Sequence, residues 1–158
     1  MLIVLNGLCI QQINFILYIN FNKGVINLNT YSKTLLRFSA IFALIGAFIG
    51  SHMAGAGGYE FRTVHAHILV VGWLTLFAWA VYYKIFTPAS KKLAALHVWT
   101  AIIGAIGLSG GMWLYYLRPF NLNDTLVTIL FIVGGTILLI SFALFVVLTF
   151  MKTEEDRN

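Results

Sequence analysis

The run Arg62-Thr63-Val64-His65-Ala66-His67-Ile68-Leu69-Val70-Val71-Gly72-Trp73 holds the residues best suited to chemistry. Two histidines, one residue apart, open an apolar stretch long enough to cross a membrane. An imidazole is expensive to keep in hydrocarbon, so a histidine at that depth is a functional-site hypothesis by default. In a helix, positions i and i+2 point about 200° apart, because each residue turns the helix by about 100°. His65 and His67 therefore address two sides of one helix and cannot clamp one ion from a single face.

His52 closes the preceding apolar segment at the same end, which makes His52, His65 and His67 candidates for one site near one membrane surface. At ~1.5 Å rise per residue His67 lies about 7.5 Å below Arg62, and His97 about 7.5 Å from the opposite surface. Across a hydrocarbon core of ~30 Å, about 15 Å separates the His67 and His97 levels. His97 is accordingly expected to be a snorkelling interfacial histidine beside Trp99. Zinc and copper usually recruit thiolates or carboxylates as well as imidazoles. The apolar spans of the last three segments contain no acidic residue, and Glu60 falls in a connection. Haem suits the set better than copper, being flat, apolar and ligated by axial imidazole, with two propionates that need basic partners. Arg62 and Arg118 are the basic residues at that end. The competing reading is that the histidines only hydrogen-bond within the bundle or face the interface.

Composition dictates what positions these residues. The chain of 158 residues is 60% hydrophobic and 9% charged, with mean hydropathy +0.90. Soluble domains carry about 25% charged residues. The apolar runs are long rather than alternating, so the expected fold is an all-α integral membrane protein. Helices are expected over about Lys33–Met53, Arg62–Phe86, Lys92–Leu117 and Asp124–Met151. The Ala54-Gly55-Ala56-Gly57-Gly58 run should break the first, and Pro88 and Pro119 follow the second and third. Asp124 is the expected N-cap of the fourth.

Residues 1–30 read as an N-terminal appendage, 31–152 as the four-helix domain and 153–158 as a polar cytoplasmic tail. The stretch Leu2 to Phe21 is apolar but interrupted by Asn6, Gln11, Gln12, Asn14 and Asn20, too many amides for an ordinary span. A fifth spanning helix is the weaker alternative there. Eight of the ten basic residues fall on one side of a four-helix topology, with Arg62 and Arg118 on the other. That bias places both ends of the bundle in the cytoplasm and makes the net charge of +5 a matter of topology, not of nucleic-acid binding. Tyr82 and Tyr83 are expected at the inner interface, and Trp113, Tyr115 and Tyr116 at the outer one. Cys9, the single cysteine, excludes an internal disulfide and a Cys-x-x-Cys-His haem attachment.

The segments VHAHILVVGW and LHVWTAIIGAIGLSGGMWLYYLRP together resemble subunit I of the haem-copper oxidase superfamily. The resemblance covers about residues 33–151 and corresponds to the last of the three four-helix arcs in that subunit. It implies that His65 and His67 are axial ligands to haem on opposite sides of their helix. It further implies that Arg118, and Arg62 with it, meets the propionates, and that His97 is not a ligand. The copper-binding histidines and cross-linked tyrosine of a complete oxidase have no counterpart here. The expectation is therefore a four-helix membrane haem b protein, similar to short single-arc cytochromes. A His-x-His pair serving two sides of one helix suggests a homodimer, with one haem near the subunit boundary. Its function would be electron transfer, with a redox partner or respiratory complex, or binding and reduction of nitric oxide or dioxygen. A cofactor-free structural subunit and a small proton-conducting or ion-conducting protein are the alternatives.

Overall fold

An apolar chain in hydrocarbon can satisfy its own backbone as a helix, and the described residues do so four times. The computed structural model describes residues 30–120 and 122–151. Its helices are α1 (Thr30–Ala56), α2 (Arg62–Ile85), α3 (Lys91–Leu117) and α4 (Asp124–Phe150), each long and apolar enough to cross a membrane. Leu44, Phe48, Leu139 and Phe150 are each more than two-thirds exposed on their outward faces, where only lipid would tolerate them. The protein is thus a four-helix membrane bundle. Residues 1–29 of the expected appendage, and the polar tail, lie outside the described residues.

Local chemistry sets the helix ends and corrects one expectation. The glycine run ends α1 as expected: the helix continues to Ala56 and stops at Gly57. There φ is +67°, and the Gly57 N–H closes on the Met53 carbonyl at 3.0 Å. Only that glycine adopts the left-handed turn that ends a helix. The α4 cap is Asn123 and not Asp124: its Oδ1 accepts from the N–H groups of Thr125 at 2.9 Å and Leu126 at 3.4 Å. An extended residue one position ahead of the first turn can reach those donors, whereas Asp124 is already helical. Ser90 caps α3 through Leu93.

The helices form two antiparallel hairpins. Between α1 and α2, the Ser32 hydroxyl donates to the Ala80 carbonyl at 2.8 Å, and Ser39 Oγ donates to the Trp73 carbonyl at 3.0 Å. Seven residues separate the two serines and seven separate their acceptors, so one face of α1 reads one face of α2 over two turns. Further along, Gly72 abuts Phe42 and Gly46 abuts Leu69. Between α3 and α4, Gly104, Gly107 and Gly111 lie against the backbone at Leu138, Gly134 and Phe131. The hairpins join towards the end bearing Lys84, Lys91 and Lys92, where the Trp79 ring meets Phe142 at 4.9 Å and Phe145 at 5.5 Å.

Inside α2, residues Ile68–Thr75 form a π-helical segment that begins immediately after His67. Its cause is visible in which residues are buried: Val64, Ile68, Gly72, Leu76 and Ala80, at a repeated spacing of four. In an α-helix each such step drifts by about 40°, so the stripe would wander off the contact face. A wider i→i+5 turn absorbs that drift. Two hydroxyls serve carbonyls within it: Ser39 takes Trp73, and Thr75 Oγ1 donates to Val70 at 2.8 Å.

The α3–α4 contact leaves no room for a side chain, because a Cβ at Gly134 would run into the Gly107 and Leu108 backbone. Gly134→Val should destabilise the bundle by about 2–3 kcal/mol in detergent unfolding, at the upper end of over-packing costs. Gly55→Ala, which meets open space, should not destabilise it. Equal stability of the two variants would contradict the packing described.

Candidate functional site

His65 and His67 occupy the first turns of α2, ahead of the π segment. His65 is half-buried and turns towards α1, where a Cβ on Gly50 would stand 2.9 Å from its Cε1. Its Nδ1 is buried and has no hydrogen-bond partner. Glycine at position 50 is thus what gives the imidazole its space.

His67 is also half-buried, and its Nδ1 lies 2.9 Å from the Thr63 carbonyl. A carbonyl only accepts, so Nδ1 carries the proton in this contact. In that tautomer of the imidazole the lone pair is on Nε2. Metal-binding histidines are commonly oriented in this way, by donating the other ring N–H to a carbonyl.

His52, the third candidate, lies in the last turns of α1. It is exposed, its ring sits edge-on to Phe61 at 6.0 Å, and it lines a small hollow with Met53 and Glu60. Among the described residues, no three His, Cys, Asp or Glu side chains converge as a metal-binding group. Arg62 opens α2 and is exposed. Arg118 ends α3 in a left-handed conformation, φ 44°, and its guanidinium lies 3.5 Å from Asp124 with both side chains mostly exposed. An exposed pair of this kind is weak and leaves the arginine available to another anion. The residues present fit a haem in chemical type: two imidazoles on opposite faces, one with its tautomer set, and basic side chains at the same end.

Expectation and structure part at His97. It is fully buried, not interfacial, while Trp99 two residues on is 56% exposed. Tyr83 Oη lies 2.9 Å from His97 Nδ1. Trp79 meets the imidazole edge-on at 4.6 Å and Phe145 stacks on it at 5.5 Å. Tyr83, expected at an interface, is 2% exposed. His97 Nε2 has no partner. One signal lay in α3 itself: Ala94, His97, Ala101, Gly104 and Ala105 share a small-residue stripe at helical spacing, and that stripe faces inward.

No family model, curated protein or solved structure matches this chain.

The buried pair makes a direct prediction. Tyr83→Phe strands His97 Nδ1 and should cost about 1–3 kcal/mol, the penalty of an unsatisfied buried polar group. His97→Leu should cost a similar amount by stranding the phenol, while the double variant should be less destabilised than the sum of the two. Additive effects in an unfolding titration would mean that the hydrogen bond is not formed.

Proposed function

We propose that the protein is a membrane haem b protein in which His65 and His67 are the axial ligands on the two sides of α2. The observation that carries the reading is the His67 Nδ1–Thr63 contact of 2.9 Å, which presents Nε2 as a donor. The orphaned Nδ1 of His65, in the space left by Gly50, supports it. The ordered resemblance of residues 64–73 and 96–119 to haem-copper oxidase subunit I supports it as well.

A haem held at these imidazoles would supply one-electron transfer or ligation of a diatomic gas. The chain's residues have separate tasks. The Thr63 carbonyl fixes the His67 tautomer and ring orientation. Gly50 keeps α1 clear of the His65 ring. Arg62, one turn from His65, and Arg118 would neutralise the propionates, with Arg62 the nearer in sequence to the ligands. His67 is only partly buried within one copy, which favours a homodimer whose second copy covers it.

The two-sided bias of lysine and arginine favours an orientation in an inner (cytoplasmic) membrane with the lysine end in the cytoplasm and the histidine end outside. A second reading, a proton-conducting protein, draws on the Tyr83–His97 pair and its unpartnered Nε2. It predicts a colourless protein.

His65→Ala and His67→Ala test the ligand assignment. Each should lower haem affinity by at least about 10–100-fold, since loss of even an outer partner of a metal ligand acts on that scale. Pyridine haemochrome quantification reads the content, and carbon monoxide added to the reduced protein reports an open sixth position. Unchanged haem content and spectrum in both variants would remove the two histidines from the ligand set.

A further inference from the structure

The π segment divides α2 into two halves, and its register decides where the imidazoles point. Leu76 and Ala80 are buried on one side of it, and Val64, beside His65, is buried on the other. In an uninterrupted α-helix, the three four-residue steps from Leu76 back to Val64 would each drift by about 40°. With Leu76 held in the core, Val64 would then stand about 120° away from the core face. His65 would swing through the same angle, out of the space that Gly50 leaves for its ring. The wider turns of Ile68–Thr75 remove that rotation.

Two hydroxyls single this segment out. A threonine in an α-helix donates to a carbonyl three or four residues back. Thr34, Thr100, Thr128 and Thr136 all reach the carbonyl four back, at 2.8–2.9 Å. Thr75 instead reaches Val70, five back, at 2.8 Å. A five-residue turn brings that carbonyl within range, so the bond belongs to the π register and would be lost in an α-helical one. The second hydroxyl comes from α1. Ser39 is 1% exposed, and it donates at 3.0 Å to the Trp73 carbonyl near the end of the same segment.

We propose that Thr75 and Ser39 are positioning residues for the imidazole pair. By holding α2 in the π register they turn His65 towards Gly50 and His67 to the opposite side, at the angles from which each would meet a haem. The inference deepens the haem reading and rests on it for what the imidazoles bind, but the orientation itself can be read without haem.

The test uses the full chain in lipid nanodiscs and two measurements. In a Cys9→Ser background, Gly50→Cys with His65→Cys reports the register through the rate of disulfide formation under copper phenanthroline. Thr75→Val keeps the side-chain shape without the hydroxyl and should slow the crosslink about fivefold, the scale of one hydrogen bond. Adding Ser39→Ala should slow it about twentyfold, the scale of two, and Thr75→Ser should restore the wild-type rate. Ser32→Ala removes a comparable α1–α2 bond outside the π segment and should leave the rate unchanged. The second measurement is the EPR spectrum of the ferric haem with His65 and Gly50 retained. The Ser39→Ala/Thr75→Val protein should show shifted g values, and Ser32→Ala those of the wild type. An unchanged crosslinking rate in the double variant would overturn the proposal. So would an equal effect of Ser32→Ala, or wild-type g values in a haem-loaded double variant. A colourless wild type would remove the haem reading, and the crosslink would still decide this one.

Discussion

Hydrocarbon offers no hydrogen-bond partner, so a polar atom within a membrane bundle either finds one in the protein or stays unsatisfied at a cost of about 1–3 kcal/mol. Much of this architecture follows from that constraint. Ser32 and Ser39 lock α1 to α2 by donating to carbonyls seven residues apart. One of those carbonyls, Trp73, belongs to the π segment, where the regular ladder is perturbed and an added donor is worth most. Tyr83 and His97 answer each other across the α2–α3 interface. The atoms left without partners are consequently few: His65 Nδ1, His97 Nε2 and Ser109 Oγ among the described buried side chains. Each marks a place where the protein alone does not complete its own hydrogen bonding.

Close helix approach is the second organising term. Between lipid-solvated helices, burial of apolar area drives little, and small residues are what allow backbones into contact. Glycines at 104, 107, 111 and 134 bring α3 and α4 into backbone contact over about two turns. At 46 and 72 glycines admit a Leu69 and a Phe42 side chain, and at 50 glycine admits an imidazole. The last of these links packing to chemistry, since Gly46 and Gly50, one turn apart on α1, admit Leu69 and His65 of α2 respectively. The hairpins also touch through aromatic rings around Trp79 at the lysine end. An apolar groove lies between α1 and α3.

Much of the fold was legible in the sequence because its signals are local. Long apolar runs, Pro88 and Pro119, and the glycine run ahead of Arg62 delimit four spans without any knowledge of partners. The features that escaped depend on which face of a helix meets another. Position along the chain put His97 near a surface, but depth says nothing of direction, and the side chain turns inward while Trp99 turns out. Tyr83 was misplaced for the same reason. Asp124 and Asn123 are both good caps, and the choice turned on one residue of helical register. The π segment reflects a four-residue burial rhythm that becomes visible only once the contact face is known. The opposed directions of His65 and His67, by contrast, followed from helix geometry and needed no tertiary context.

The account turns on whether α2 presents its two imidazoles to iron, and the oxidised and dithionite-reduced visible spectra of the protein, extracted from membranes in mild detergent without added haem, address this most directly. The expected result is a Soret band with sharpened b-type α and β bands on reduction, in a fixed stoichiometry to protein. A folded, membrane-inserted protein that is colourless as isolated, and takes up no haem when haem is supplied during expression, would contradict it.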